Sequence, residues 1–118
     1  MTKILIVDDA EFLRVRLMKM LTADNFDVYQ ANNGVKAVDV YKEIHPDVVL
    51  MDVTMPEMDG LSALKEIIEY DSKARVVMLT ALGQESVVLE AVKSGARDFI
   101  VKPFEHDRVM KAIAKLVA

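Results

Sequence analysis

The stretch Val48-Val49-Leu50-Met51-Asp52 decides how this chain is read. Four apolar residues run without interruption into one carboxylate. A short run rich in β-branched residues and preceded by turn formers reads as a strand buried on both faces. Three further runs repeat the arrangement: Ile4-Leu5-Ile6-Val7 leads into Asp8-Asp9, Val76-Val77-Met78-Leu79 into Thr80, and Phe99-Ile100-Val101 into Lys102-Pro103. Open α/β sheets bind ligands in the crevice beyond the carboxyl ends of their strands. The spacing therefore predicts three carboxylates, one hydroxyl and one ammonium on a single sheet edge. That set suits a divalent cation and a phosphoryl group.

Working outward from these runs, strand and helix alternate five times. The first strand covers Lys3 to Val7. A helix follows from about Glu11 to Ala23, with Leu13, Leu17, Met20 and Leu21 at helical spacing. Phe26 to Gln30 reads as the second strand. Asn32-Asn33-Gly34 supplies turn chemistry and a helix cap, and Val35 to Ile44 is the second helix. Pro46 disfavours helix at His45. After the third strand comes the turn-rich loop Thr54-Met55-Pro56-Glu57-Met58-Asp59-Gly60, then a helix from Leu61 to Tyr70. Gly83 marks a turn before a helix from Gln84 to Lys93, in which Val88, Ala91 and Val92 form the core face. Ser94-Gly95 reads as its stop. The fifth strand ends at Lys102, and the last helix runs from Phe104 to Val117. Such alternation with short connections predicts an α/β fold: an open, doubly wound, five-stranded parallel sheet covered on both faces by helices. A closed eight-fold barrel needs about twice this length.

The 118 residues suffice for one domain with a real core, and 53% are hydrophobic. The formal net charge of −4 gives no support for nucleic-acid binding. The absence of cysteine excludes a disulfide scaffold and a thiolate metal site. No apolar stretch approaches a membrane span, and Met1-Thr2-Lys3 leads straight into a strand with no signal-peptide pattern. The expectation is a cytoplasmic monomer, without membrane or nucleic-acid partners. A single domain over residues 1–118 with no output domain is expected, since the chain ends with its last helix.

Asp8, Asp9 and Asp52 leave neighbouring strands if the first and third strands pair, so like charges crowd and call for a counter-charge. Lys102 supplies one. A hard cation supplies another, and a compact acidic cluster without nearby His or Cys fits Mg²⁺ far better than zinc. Taken singly the residues are less telling. Asp8-Asp9 would equally suit a turn, Thr80 a strand interior, and Pro103 the first turn of a helix. A cis Lys102-Pro103 bond would turn the ammonium back across the crevice, and the small Ala81 leaves room for an anion beside Thr80. His45 and His106 read as ordinary surface residues, and the eight scattered methionines as gap-fillers.

Together these residues closely resemble the response-regulator receiver domain over essentially the whole chain. The resemblance rests on Asp8-Asp9, on Met51-Asp52-Val53-Thr54-Met55-Pro56-Glu57-Met58-Asp59-Gly60, on Thr80-Ala81 and on Lys102-Pro103-Phe104. Asp8 to Arg14 and Gly95 to Phe104 most resemble single-domain chemotaxis receivers of the CheY type. The resemblance implies a flavodoxin-like sheet of order 2-1-3-4-5. It implies that Asp52 accepts a phosphoryl group from a histidine kinase. Mg²⁺ would be held by Asp9, Asp52 and the Thr54 backbone carbonyl, with Asp8 acting through a metal-bound water. Lys102 and Thr80 would bind phosphoryl oxygens.

The resemblance also implies a reporting surface of the fourth helix, fifth strand and fifth helix. Thr80 would move toward the phosphoryl group and Phe99 would turn inward behind it. Phe99 lacks the hydroxyl of the tyrosine that many chemotaxis relatives carry there, and a plain core phenylalanine is the alternative. Val87, outside the narrowest core stripe, and Lys111 are candidate partner contacts beside Phe99. The implied protein is a kinase substrate that assists its own phosphorylation and is not an enzyme in its own right. A chemotaxis histidine kinase is the expected donor and the flagellar motor switch the expected target. A single-domain phosphorelay intermediate is an alternative. A Mg²⁺-dependent phosphohydrolase is a weaker one, because Thr54 stands where a second acidic residue is expected and no cap domain is present.

Overall fold

The computed structural model describes residues 1–55 and 58–117. Five strands and five helices alternate: β1 (Lys3–Val7), α1 (Glu11–Ala23), β2 (Asp27–Ala31), α2 (Gly34–Ile44), β3 (Val48–Asp52), α3 (Gly60–Tyr70), β4 (Val76–Thr80), α4 (Glu85–Lys93), β5 (Asp98–Val101) and α5 (His106–Val117). The sheet is parallel throughout, in the order β2-β1-β3-β4-β5. The order reverses between β1 and β3, and this switch point opens the crevice at the sheet's carboxyl edge.

Alternation along each strand sorts the core into two layers. Leu5, Val7, Val49, Met51, Val76 and Met78 pack against α2, α3 and α4. Ile4, Ile6, Val48, Leu50, Val77, Leu79 and Ile100 pack against α1 and α5. The central strands are buried on both faces, which is why their sequences are continuously apolar rather than alternating.

The helix ends follow local chemistry. Asn33 Oδ1 accepts from Lys36 N at 2.8 Å, and Asp59 Oδ1 from Ser62 N at 2.8 Å, capping α2 and α3. Gly95 takes φ +113° after the α4 C-cap, a left-handed conformation open to glycine. Gly34 and Gly60 serve a different purpose from a turn. Neither has positive φ, but a Cβ on Gly34 would lie 2.2 Å from the Met58 carbonyl oxygen, so only glycine lets α2 approach the loop after β3.

Several expectations need correction; the fifth strand, for one, ends at Val101 and not at Lys102. The second strand is shifted by one residue, to Asp27–Ala31, because Lys3 pairs with Asp27. The last helix starts at His106, not Phe104; the Phe104 side chain is buried in the α1–α5 core instead. Gln84 is the N-cap of α4 rather than its first residue. Finally, α4 is rotated from the expected phase. Val88 and Ala91 are buried, but Val92 is 49% exposed and Val87 is half-buried against the core. Valines at 87, 88 and 92 spread around the helix, so spacing alone left its phase open. Pro56 and Glu57, within the loop motif, lie outside the described residues.

Candidate functional site

β1 and β3 are neighbours, with Val7 opposite Met51. Asp8 and Asp52 therefore emerge side by side at the carboxyl edge. Asp52 closes β3 in phase with Leu50, and Lys102 follows β5 in phase with Ile100, so both belong to the α1–α5 side of the sheet. Residues 94 positions apart meet as a result. Lys102 Nζ donates to Asp8 Oδ2 and to Asp52 Oδ1, each at 3.1 Å. Carboxylate oxygens of Asp8, Asp9 and Asp52 lie within 4.8 Å of one another. Asp8 is 1% exposed and Asp52 7%, whereas Asp9 faces solvent.

The two carboxylates of the Asp8-Asp9 pair are held differently. Both oxygens of Asp8 are engaged, Oδ1 by Ala10 N at 2.9 Å and Oδ2 by Lys102. Arg14, which sequence reading passed over as a helix residue, fastens this loop: its Nη1 donates to Asp8 O at 2.8 Å and its Nε to Gln30 Oε1 at 3.0 Å. Its position on the first turn after Asp8-Asp9 was the available signal.

Burial pushes the Asp52 carboxyl above its ordinary range, and the Asp8 charge pushes the same way; Lys102 opposes both without cancelling them. For Lys102, burial alone would lower the ammonium's pKa, but the Asp52 and Asp8 carboxylates outweigh it and raise it. Three carboxylates against one ammonium leave a formal local charge of −2. An all-oxygen donor set with that excess charge fits a hard divalent cation.

The remaining predicted residues fall into two groups. The Lys102-Pro103 peptide bond is cis, and Lys102 N donates to Thr80 O at 2.7 Å. Thr80 is buried at the same edge, but its hydroxyl donates to Ala81 O at 3.2 Å rather than to Asp52. Thr54 and Ala81 are exposed beside the crevice. Phe99 is not a core residue. Paired with Met78 on the α4 side of the edge strand β5, it is 40% exposed. With Thr80, Ala81, Leu82, Glu85, Val88, Leu89 and Val101 it lines an apolar cavity of about 320 Å³. Lys111 is exposed on α5, in a basic groove shared with Arg108 and Lys115. Val87 stands apart from this surface, turned half into the core.

Residues 4–114 match the response regulator receiver domain. The chain belongs to the response-regulator receiver family. Chemotaxis protein CheY of Bacillus subtilis is 54% identical to this receiver over 96% of this chain and 95% of its own. CheY of Thermotoga maritima is 49% identical over 97% and 96%. Among solved structures, a chain in the CheX–CheY–BeF3–Mg²⁺ complex of Borrelia burgdorferi superimposes with a TM-score of 0.93 at 38% identity, covering 99% of this chain and 90% of that one. The receiver is thus of the CheY chemotaxis type, a two-component signalling class rather than a classical enzyme. Its acidic pocket is of the kind in which receiver domains bind Mg²⁺. Among the described residues, no helix of this receiver is long and apolar enough to cross a membrane.

Proposed function

We propose that this receiver is a phosphorylation-activated switch in which Asp52 is the phosphoacceptor. The observation that carries the reading is the Lys102 ammonium held 3.1 Å from both the Asp8 and the Asp52 carboxylates. Asp52 attacks the phosphorus of a phosphohistidine, its Oδ forming a P–O bond as the P–N bond breaks, and an acyl phosphate results. The Asp52 side chain needs an ionised oxygen for this, and Lys102 favours that form against burial and Asp8. Asp9, Asp52 and the Thr54 carbonyl would hold Mg²⁺, with the doubly engaged Asp8 acting one water further out. Bound there, Mg²⁺ would supply positive charge against that of the incoming phosphoryl group.

Lys102 then passes from Asp52 to a phosphoryl oxygen. Thr80 exchanges its weak bond to Ala81 O for another, since a hydroxyl bonds a charged oxygen more strongly than a neutral carbonyl. As Thr80 moves away from the apolar cavity, Phe99 turns in and buries surface now exposed. The altered α4–β5–α5 face, with Phe99 and Lys111, meets the downstream partner. The CheY relatives, which this chain spans almost end to end, support a chemotaxis kinase as donor and the flagellar motor switch as target.

Intact mass after incubation with a small acyl phosphate tests the reading. The expected result is a transient gain of one phosphoryl group, dependent on Mg²⁺ and lost in Asp52→Asn. Steady turnover of many phosphoesters would indicate a hydrolase instead. No mass change would overturn the switch.

A further inference from the structure

The start of α4 departs from the pattern of α2 and α3. Their N-cap side chains accept hydrogen bonds from helix amides. Gln84, at the N-cap of α4, makes no such bond. Its side chain turns the other way: Oε1 accepts from the backbone N–H of Ala81 at 2.7 Å, and Nε2 donates to Thr54 Oγ1 at 3.0 Å. Only the amide oxygen can accept from a backbone N–H, so the orientation of the group follows from its chemistry. One side chain thus ties the loop after β4 to the loop after β3, which carries Asp52.

The carboxyl end of β4 offers two donors beside the crevice, the Thr80 hydroxyl and the Ala81 N–H. Both are engaged, the first on the Ala81 carbonyl oxygen and the second on Gln84. Gly83, at φ +90° with open space around it, makes the turn that brings Gln84 back over Ala81. A capping side chain ordinarily stabilises its helix, and Gln84 forgoes that role for a contact that bridges two loops of the site.

We infer that Gln84 is a latch: in the unphosphorylated protein it occupies the Ala81 amide and tethers Thr54, and an oxyanion on Asp52 has to displace it. The inference rests on the reading of Asp52 as phosphoacceptor. A phosphoryl oxygen competes well for the N–H, because charge-assisted hydrogen bonds are stronger than neutral ones. Displacement frees Gln84, and with it the first turn of α4, which carries Glu85 and Val88 of the apolar cavity and adjoins Leu82. Gln84 is therefore a positioning residue that holds back anion binding and links site occupancy to α4.

Beryllium fluoride with Mg²⁺ serves as the probe, titrated into the intact protein. Gln84→Met keeps the length of the side chain and removes both hydrogen bonds. The expected result is a rise in probe affinity of about three- to tenfold, the worth of one or two exposed hydrogen bonds. Thr54→Val should give a smaller rise. The double variant should gain little beyond Gln84→Met, since the two act through one contact.

Amide exchange at Ala81 gives a second readout that a packing role would not move. Before the probe is added, exchange should be slower in the wild type than in Gln84→Met; after saturation the two should agree. Equal or lower affinity in Gln84→Met, or equal Ala81 exchange without probe, overturns the latch while leaving Asp52 as acceptor. A wild type that neither binds the probe nor gains a phosphoryl group overturns the Asp52 reading and the latch with it.

Discussion

Gly60 lies against the backbone of Asp52 so closely that an added Cβ would stand 2.0 Å from the Asp52 carbonyl oxygen. Gly60 N also donates to Val53 O at 2.8 Å, so the first turn of α3 is clamped onto the end of β3. The contact sets the direction in which the chain leaves Asp52. Gly60→Ala must push α3 or the Asp52 backbone aside. We expect a loss of about 2–4 kcal/mol in urea unfolding, together with weaker Mg²⁺ binding. Gly83→Ala is the contrasting case. It has open space but a φ of +90°, and should cost about 1–2 kcal/mol from backbone conformation alone.

Lys102→Met removes the only ammonium bonded to Asp8 and Asp52 among the described residues. Two buried carboxylates then face each other unpaired. Stability at neutral pH without divalent cations should fall by about 3 kcal/mol, and millimolar Mg²⁺ should restore part of it. The raised pKa of Lys102 sets the sign for the wild type. Its contribution is fully present below the ordinary lysine value of 10.5 and is lost as pH rises through the higher folded value. Denaturation midpoints between pH 7 and 11 would check both statements.

Asp52→Asn should behave in the opposite way. The carboxyl of Asp52 is raised, first by burial and then by Asp8, so its ionised form disfavours the metal-free fold. Below the ordinary value of 3.8 both folded and unfolded chains hold the proton and nothing is lost; the penalty grows as pH rises above it. At neutral pH without Mg²⁺ the Asn variant should melt about 3–5 °C higher, the equivalent of roughly 1 kcal/mol for a domain of this size. Mg²⁺ should raise the melting temperature of the wild type more than that of the variant, because the cation binds the assembled cluster. Equal responses to Mg²⁺ would remove Asp52 from the metal site.

His106 joins the start of α5 to the end of α1. Its Nδ1 meets Asp107 at 3.1 Å and its Nε2 meets Asp24 at 2.6 Å. The hydrogen bonds to Asp107 and then Asp24 raise its pKa above 6.5. Protonated His106 therefore stabilises the fold below pH 6.5, and the contribution is lost as pH rises through the folded value. Urea midpoints measured at pH 6 and pH 8.5 should show a fall in the wild type that His106→Gln lacks. Asp24→Asn should remove only part of that fall, since the contact with Asp107 is the larger cause of the shift.

Much of the fold was legible because uninterrupted apolar strands can only be buried on both faces, and that requires a parallel sheet with helices on each side. The ends of those strands, read as a set, singled out Asp8, Asp9, Asp52, Thr80 and Lys102. Residue type and spacing alone did this, since each strand delivers its next residue to the same edge. Other features depended on what stands opposite in space. Nothing local to Gly60 announces the Asp52 carbonyl, and nothing in Asn32-Asn33-Gly34 announces Met58. Valines on several sides of α4 left its rotation to the packing of Val88 and Ala91, which put Val92 outside and drew Val87 in.

The chain's own pattern of apolar runs and chemically useful ends determined the architecture, the edge that carries the chemistry and the residue types gathered there. Tertiary structure alone decided which oxygen of Asp8 meets Lys102, that Phe99 lies exposed on an edge strand, and that Gln84 reaches Ala81 and Thr54 instead of capping its helix. The division has a physical cause. Periodicity and strand-end placement are properties of a residue and its near neighbours in sequence. Hydrogen-bond choice and close approach depend on atoms that folding brings together from tens of positions away.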